Sequence, residues 1–232
     1  MKAMILAAGL GERLRPLTET NPKPMLLVGG KPLLQYHLER LSEAGIQEVV
    51  INTSWLAEKI ESYFGDGSQF GLQINWSRES HPLETGGGIR RALPYLGDEP
   101  FLLISGDIWT EYPLGRLCHQ PLKRGVDAHL VLVNSPKHNP MGDFTLHDNK
   151  IGYPVGGEQE VVKHTFSGIS LLRPEIFVTY RSYSDTFPLR DVWRTSIEEG
   201  KVTGELYSGQ WWDVGTIERY RSVNQYLLDA GH

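Results

Sequence analysis

Short apolar runs rich in branched residues alternate with helical repeats through the first half of this sequence, and that alternation limits the folds available to it. Residues 2–7 (KAMILA), 46–52 (IQEVVIN), 72–77 (LQINWS), 100–107 (PFLLISGD) and 127–133 (DAHLVLV) read as buried strands. Between the first two, KPLLQYHLERLSEAG places Leu34, Leu38 and Leu41 at helical spacing, with Pro32 suited to a helix start and Gly45 to a stop. WLAEKIESYFGDG (55–67) and TGGGIRRALPYLG (85–97) read as two further helices, the second opening after a glycine-rich turn. Repetition of this kind predicts an α/β fold of three layers, a mostly parallel mixed central sheet with helices on both faces. Ligands of such sheets bind beyond the C-terminal ends of the strands. The loop at Gly9, the loop at Thr85 and Asp107 are therefore expected on one rim.

The second half is less regular. Residues 143–154 suggest a hairpin, 165–174 a strand, and 187–200 a helix with Val192, Trp193 and Ile197 as core positions. KVTGELYSGQWWDVGT (201–216) reads as a strand pair ending at Asp213, and TIERYRSVNQYLLDAG as a closing helix. No repeat, low-complexity tract or linker divides the sequence. The expectation is one domain over 1–232, with a nucleotide-binding half (1–125) and a half that completes the acceptor site (126–232). Net charge is −5 with the signs mixed, so no basic stripe points to nucleic acid. No apolar run is long enough for a membrane span. No N-terminal targeting segment stands out, and Cys118, the one cysteine, fits a reducing, cytoplasmic setting.

Residues 3–24, AMILAAGLGERLRPLTETNPKP, carry the densest chemistry. A strand ends at Ala7-Ala8, the turn Gly9-Leu10-Gly11 follows, and Arg13, Arg15 and Lys23 come next. Glycines let backbone approach a phosphate chain, and exposed N–H groups make an anion-binding concavity. Arg13 offers a planar fork and Lys23 a point charge on a segment stiffened by Pro22 and Pro24. The block is neither GxxxxGK[ST] nor a GxGxxG opening directly into a helix. A second block, LETGGGIRRAL (83–93), sets three glycines before a helix, where backbone can lie close to a base, a sugar or a phosphate. Read alone, it is equally a capped turn. A third, ISGD, puts Asp107 at the end of a buried strand, where packing explains an acid poorly; a magnesium ligand and a turn-capping carboxylate are the alternatives. A fourth, WWDVGT, sets Asp213 among Trp212, Val214 and Gly215.

Together these blocks resemble the sugar nucleotidyltransferases, or nucleotide-sugar pyrophosphorylases. The family's first signature runs roughly LAAGxGxRxxPxTxxxPKP, and Gly9, Gly11, Arg13, Pro16, Thr18, Pro22, Lys23 and Pro24 fall on it. Its second, LGTAGA or LGTGGA, has Glu84 here in place of Gly. Its W-x-D-[IV]-G-T motif is met at 211–216. The resemblance implies a Rossmann-like nucleotidyltransferase fold and a reaction in which an NTP and a sugar 1-phosphate give an NDP-sugar and pyrophosphate. It assigns Ala8, Gly9, Gly11, Glu12, Arg13, Lys23, Glu84, Gly87 and Gly88 to the nucleotide, and Asp107 and Asp213 to one Mg2+. Lys23, Arg13 and Asp107 would act on the reacting phosphates. No general base is needed, because a phosphate nucleophile is already ionised near neutral pH.

The sugar is less clearly written. An E-K-P motif common in the family is missing from QEVVKHTFSGIS (159–170), where Lys163 is either the substitute cation or a solvated lysine. LETGGG, INTSW, GDGSQFGL, MGDF, TFSGIS and WWDVGT resemble a branch that transfers UMP from UTP to N-acetylmuramic acid α-1-phosphate in cell-wall recycling. By that likeness Ser105, Gly142, Asp143 and Ser167 would meet the sugar phosphate, and one of Arg78, His81, His138 and His164 the lactyl carboxylate. Mannose-1-phosphate guanylyltransferases are the alternative. The sequence shows no acetyltransferase extension of the bifunctional relatives, and a monomer or weak homo-oligomer is expected. A glycosyltransferase would need a DxD motif, whereas SGDIWTE has one Asp there; a non-catalytic homologue would be expected to have lost Lys23 or the two acids.

Overall fold

The computed structural model describes residues 1–120, 122–154 and 162–231. Strand β1 (Ala3–Leu6) runs into a loop and two 3-10 turns, with the single-turn helix α1 (Leu17–Thr20) between them. A small hairpin, β2 (Leu27–Val28) and β3 (Lys31–Pro32), leads into α2 (Leu33–Glu43). Next come β4 (Glu48–Thr53), α3 (Ala57–Phe64), β5 (Gln73–Arg78), α4 (Glu84–Leu96) and β6 (Phe101–Ser105). After β7 (Ile108–Thr110) and α5 (Gly115–Cys118), β8 (Ala128–Asn134) and the β9–β10 hairpin (Phe144–His147, Lys150–Gly152) follow. The chain closes with β11 (Lys163–Leu172), α6 (Glu175–Thr179), α7 (Leu189–Glu198), β12 (Val202–Tyr207), β13 (Trp211–Asp213) and α8 (Ile217–Ala230).

Nine strands form one sheet in the order β5-β4-β1-β6-β11-β8-β12-β10-β9. The first four are mutually parallel, β11 is antiparallel to β6 and β8, and β12 is parallel to β8. This is the mixed α/β sheet the alternation predicts. Successive residues of β1 serve opposite faces: Ala3 and Ile5 join one apolar cluster with Leu34, Leu38 and Leu41 of α2, and Met4 joins the other with Ile89 of α4 and Val192 of α7. Parallel strands covered on both faces are apolar throughout, and all of Val49, Val50 and Ile51 are fully buried. A third cluster sits to the side, where Val223 and Leu227 of α8 pack on Val28, Leu33 and Trp109.

The path from β1 outward to β4 and β5, then back across to β6, reverses the winding between β1 and β6. A crevice opens beyond the C-terminal ends of strands at such a reversal. At its base β1 and β6 stay paired, with the Gly106 N–H donating to the Leu6 carbonyl at 2.8 Å.

Two local readings need correction. Gly86, Gly87 and Gly88 do not form a turn ahead of a helix; they lie buried inside α4. Their missing side chains let the helix approach its neighbours, since a Cβ on Gly88 would stand 2.6 Å from Glu79 Oε1 and 2.8 Å from Asn52 Nδ2. The segment 201–216 does hold two strands, but they do not pair with each other. β12 joins the large sheet beside β8, and β13 forms a separate ribbon with β7.

Candidate active site

A cavity of about 550 Å³ occupies the crevice. Its wall includes Ala8, Gly9, Gly11, Glu12, Arg13, Lys23, Glu84, Ser105 and Asp107 from the sequence-derived set. The glycine loop is held in shape rather than loose. Gly11 takes φ +67°, a left-handed value that glycine adopts without strain, and its carbonyl accepts from Leu14 N at 2.9 Å and Thr18 Oγ1 at 2.8 Å. Arg13 is exposed on the wall, whereas Arg15 turns toward Glu12 at 3.8 Å and lies outside the lining.

Lys23 begins a 3-10 turn that follows Pro22, and Asn21 Nδ2 braces the turn by donating to the Met25 carbonyl at 3.1 Å. Its ammonium reaches Asp107 Oδ2 at 2.7 Å, with only 11% of the lysine side chain exposed. Burial works to raise the Asp107 carboxyl, but the charge and hydrogen bond of Lys23, helped by Arg13, outweigh it and hold the group below the usual carboxylate range.

The β7–β13 ribbon brings the backbone around Asp213 alongside that of Asp107. Asp213 pairs in register with Ile108, and Val214 N donates to the Asp107 carbonyl at 2.8 Å. Asp213 Oδ2 accepts from Arg219 Nη1 at 2.9 Å and faces His138 Nε2 at 3.4 Å. Asp213 Oδ1 is buried and has no hydrogen-bond partner among the described residues. Asp213 itself is not in the cavity wall, but Gly215 is.

Within the wall itself, Ala7 N–H donates to Asn52 Oδ1 at 2.8 Å, Asn52 Nδ2 to Glu79 Oε1 at 2.7 Å, and Leu83 N–H to Glu79 Oε2 at 3.1 Å. This buried chain ties the ends of β1, β4 and β5 to the start of α4. Asn52, Glu79 and Arg219 did not stand out in the sequence. The first two carry the signal that exposed Asp107, a polar residue at the C-terminal end of a strand. Glu84, the residue standing where the family pattern has Gly, adopts φ +57°. Gly87 and Gly88 sit inside α4, outside the cavity wall.

The remaining residues are spread along the far side. Ser105 lines the cavity, and Ser167 is buried behind it, its Oγ accepting from Ile169 N at 3.2 Å. Gly142 and Asp143 lie beside β11, outside the lining; Asp143 Oδ2 accepts from Phe166 N at 2.9 Å and Oδ1 from Asn139 Nδ2 at 3.1 Å. Lys163 starts β11, also outside the lining, and residues 159–161 of the same segment lie outside the described residues. Arg78 is bound to Glu61 at 2.8 Å, His81 faces Asp185 at 3.5 Å, and His164 is buried. Of the four lactyl-group candidates, His138 is the one beside an expected metal carboxylate.

Among the described residues no helix is long and apolar enough to cross a membrane. A sequence profile of the family described as Nucleotidyl transferase matches residues 2–144. An N-acetylmuramate alpha-1-phosphate uridylyltransferase of Neisseria meningitidis is 46% identical over 227 residues, covering 96% of both chains. A mannose-1-phosphate guanylyltransferase of Mycobacterium tuberculosis is 31% identical over 222 residues, which span 94% of this chain and 62% of that one. A Bacillus anthracis structure described as a putative glucose-1-phosphate thymidylyltransferase superposes with a TM-score of 0.88 at 21% identity, over 99% of this chain and 96% of that one, a likeness of fold. The cavity at the winding reversal, its glycine loop and its paired cations and carboxylates thus sit in a chain whose sequence and fold both have counterparts, and the chain belongs to the nucleotidyl transferase family.

Proposed function

We propose that this chain transfers UMP from UTP to N-acetylmuramic acid α-1-phosphate, giving the UDP-sugar and pyrophosphate, with Mg2+ and in the cytoplasm. The observation that carries the chemistry is the convergence of Arg13, Lys23 and Asp107 on one cavity beside a fixed glycine loop. The base and sugar rest on the end-to-end similarity to the Neisseria uridylyltransferase. A sugar-phosphate oxygen attacks the α-phosphorus, the bond from that phosphorus to the bridging oxygen breaks, and pyrophosphate leaves. Positioning and charge neutralisation are the main demands of such a transfer, and no side chain has to remove a proton. Arg13 and the backbone N–H groups of Gly11 and Glu12 would hold the departing pyrophosphate, and Lys23 would span the reacting phosphates.

The residues present suit a divalent ion. Asp107 and Asp213 are hard oxygen donors at the ends of neighbouring strands, and Asp213 Oδ1 is a buried acceptor without a partner among the described residues, which supports this reading. No cluster of three or more His, Cys, Asp or Glu forms a metal site among the described residues, so substrate phosphates would have to complete the shell. When bound, the ion would neutralise phosphate charge between the two substrates. On the acceptor side, Ser105 would contact the sugar phosphate from the cavity wall, with Gly142, Asp143 and Ser167 shaping the strands behind it.

The test is pyrophosphate release from each NTP against a panel of sugar 1-phosphates. UTP with N-acetylmuramic acid 1-phosphate should be the preferred pair. A preference for GTP with mannose 1-phosphate would favour the guanylyltransferase reading, to which the Mycobacterium relative gives the main support.

A further inference from the structure

Two cations of this site, Lys23 and Arg219, are already engaged. Asp107 Oδ2 is occupied by the Lys23 ammonium at 2.7 Å, and Asp213 Oδ2 by Arg219 at 2.9 Å. With Arg13 on the same wall, three cationic side chains surround two carboxylates, so the nucleotide-free site offers a divalent ion little net attraction. The Lys23 side chain is inserted rather than dangling, 11% exposed, and its backbone turn is set by Pro22 and braced by Asn21. Beyond that turn the lysine is a flexible four-carbon stem, able to move its charge without moving its root.

We propose that Lys23 acts as a resident counterion that blocks Asp107 until a nucleotide arrives, so that the divalent ion and the NTP load together. The triphosphate, a stronger anion than one carboxylate, draws the ammonium off Asp107 and frees Oδ2 for the metal. Metal and nucleotide then raise each other's affinity, as coupling between two sites must be reciprocal. An empty enzyme with a weak metal site does not commit to a bare ion, and a nucleotide that enters without its metal meets a carboxylate that has lost its partner. The inference rests on the proposed role of Asp107 as a metal ligand.

The experiment titrates Mn2+ into the nucleotide-free protein and follows free Mn2+ by electron paramagnetic resonance. Lys23→Met should tighten Mn2+ by about tenfold, and adding Asp107→Asn to it should remove the gain. Lys23→Arg, which keeps a cation on the same root, should stay as weak as the parent and also guards against a packing defect in the methionine variant. Unchanged Mn2+ affinity in Lys23→Met overturns the counterion role, as does tightening in Lys23→Arg equal to that in Lys23→Met. A gain in Lys23→Met that survives Asp107→Asn puts the ion elsewhere and overturns both this role and the metal-ligand reading. Asp107→Asn alone, titrated with UTP present, separates the two: a loss of Mn2+ there keeps Asp107 as ligand even when the counterion role fails.

Discussion

Asp107 is the residue on which most of the site's chemistry converges: it takes the Lys23 ammonium, feels Arg13 and connects through its carbonyl to the strand of Asp213. Asp107→Ala and Lys23→Ala should each abolish turnover while leaving the thermal transition within a few degrees of the parent; steady-state rates near normal in either variant would remove it from the assigned role. Asn52 carries a different burden. Its amide serves a buried carboxylate on one side and the glycine-loop backbone on the other, so Asn52→Leu strands Glu79 Oε1 without a donor. A loss of about 2 kcal/mol is expected by urea denaturation, together with weaker UTP binding. Glu84 should show the opposite sign. A non-glycine residue at φ +57° is strained, and its side chain is exposed, so Glu84→Gly should stabilise the protein by about 1 kcal/mol in the same measurement. Lys23, Asp107 and the glycines of the first loop were legible in the sequence, because packing accounts poorly for glycines set beside cations or for an acid ending an apolar strand. Arg219 was not. It meets Asp213 six positions away, across a turn in which Thr216 Oγ1 caps α8 by accepting from Arg219 N.

The helices and strands of the first half followed from their periodicities, and the exceptions have physical causes. A glycine run signals a turn as readily as a close contact, and in α4 it is the contact that operates. Gly88→Ala would drive a methyl against Glu79 and Asn52, and a loss of about 1–3 kcal/mol accompanied by weaker UTP binding is expected. Unaltered stability and affinity would mean the helix does not need that approach. Helix α2 adds a pH dependence. His37 is buried on it, and desolvation first, with the Arg40 charge second, pushes its imidazole down to about 4. The folded protein therefore resists a proton that the unfolded chain accepts near its ordinary value of about 6.5. This group's stabilisation is complete above that value and declines as pH falls toward 4, by up to about 3 kcal/mol. Melting temperatures measured from pH 7 to 4 should fall, and His37→Gln should flatten part of that fall.

At the scale of the molecule, the order β5-β4-β1-β6 puts the winding reversal where the cavity lies; the strand-helix alternation implied a site on the C-terminal rim but not the strand order. The assembly of the second half was not legible, because its pairings join distant segments: β12 lies beside β8 and β13 beside β7, roughly a hundred residues earlier in the latter case. That same long-range ribbon sets the strand of Asp213 beside Asp107, so the proposed metal pair is a property of the whole fold rather than of either motif. Acceptor identity likewise depends on side chains from several strands and on loops whose contacts periodicity does not encode. The proposed nucleotidyl transfer from UTP to N-acetylmuramic acid 1-phosphate is put to the test by kcat/KM for pyrophosphate release with that pair against GTP and mannose 1-phosphate. A ratio of roughly a hundred or more in favour of the uridylyl reaction is expected; a ratio near one, or one that favours mannose 1-phosphate, would rule out that assignment.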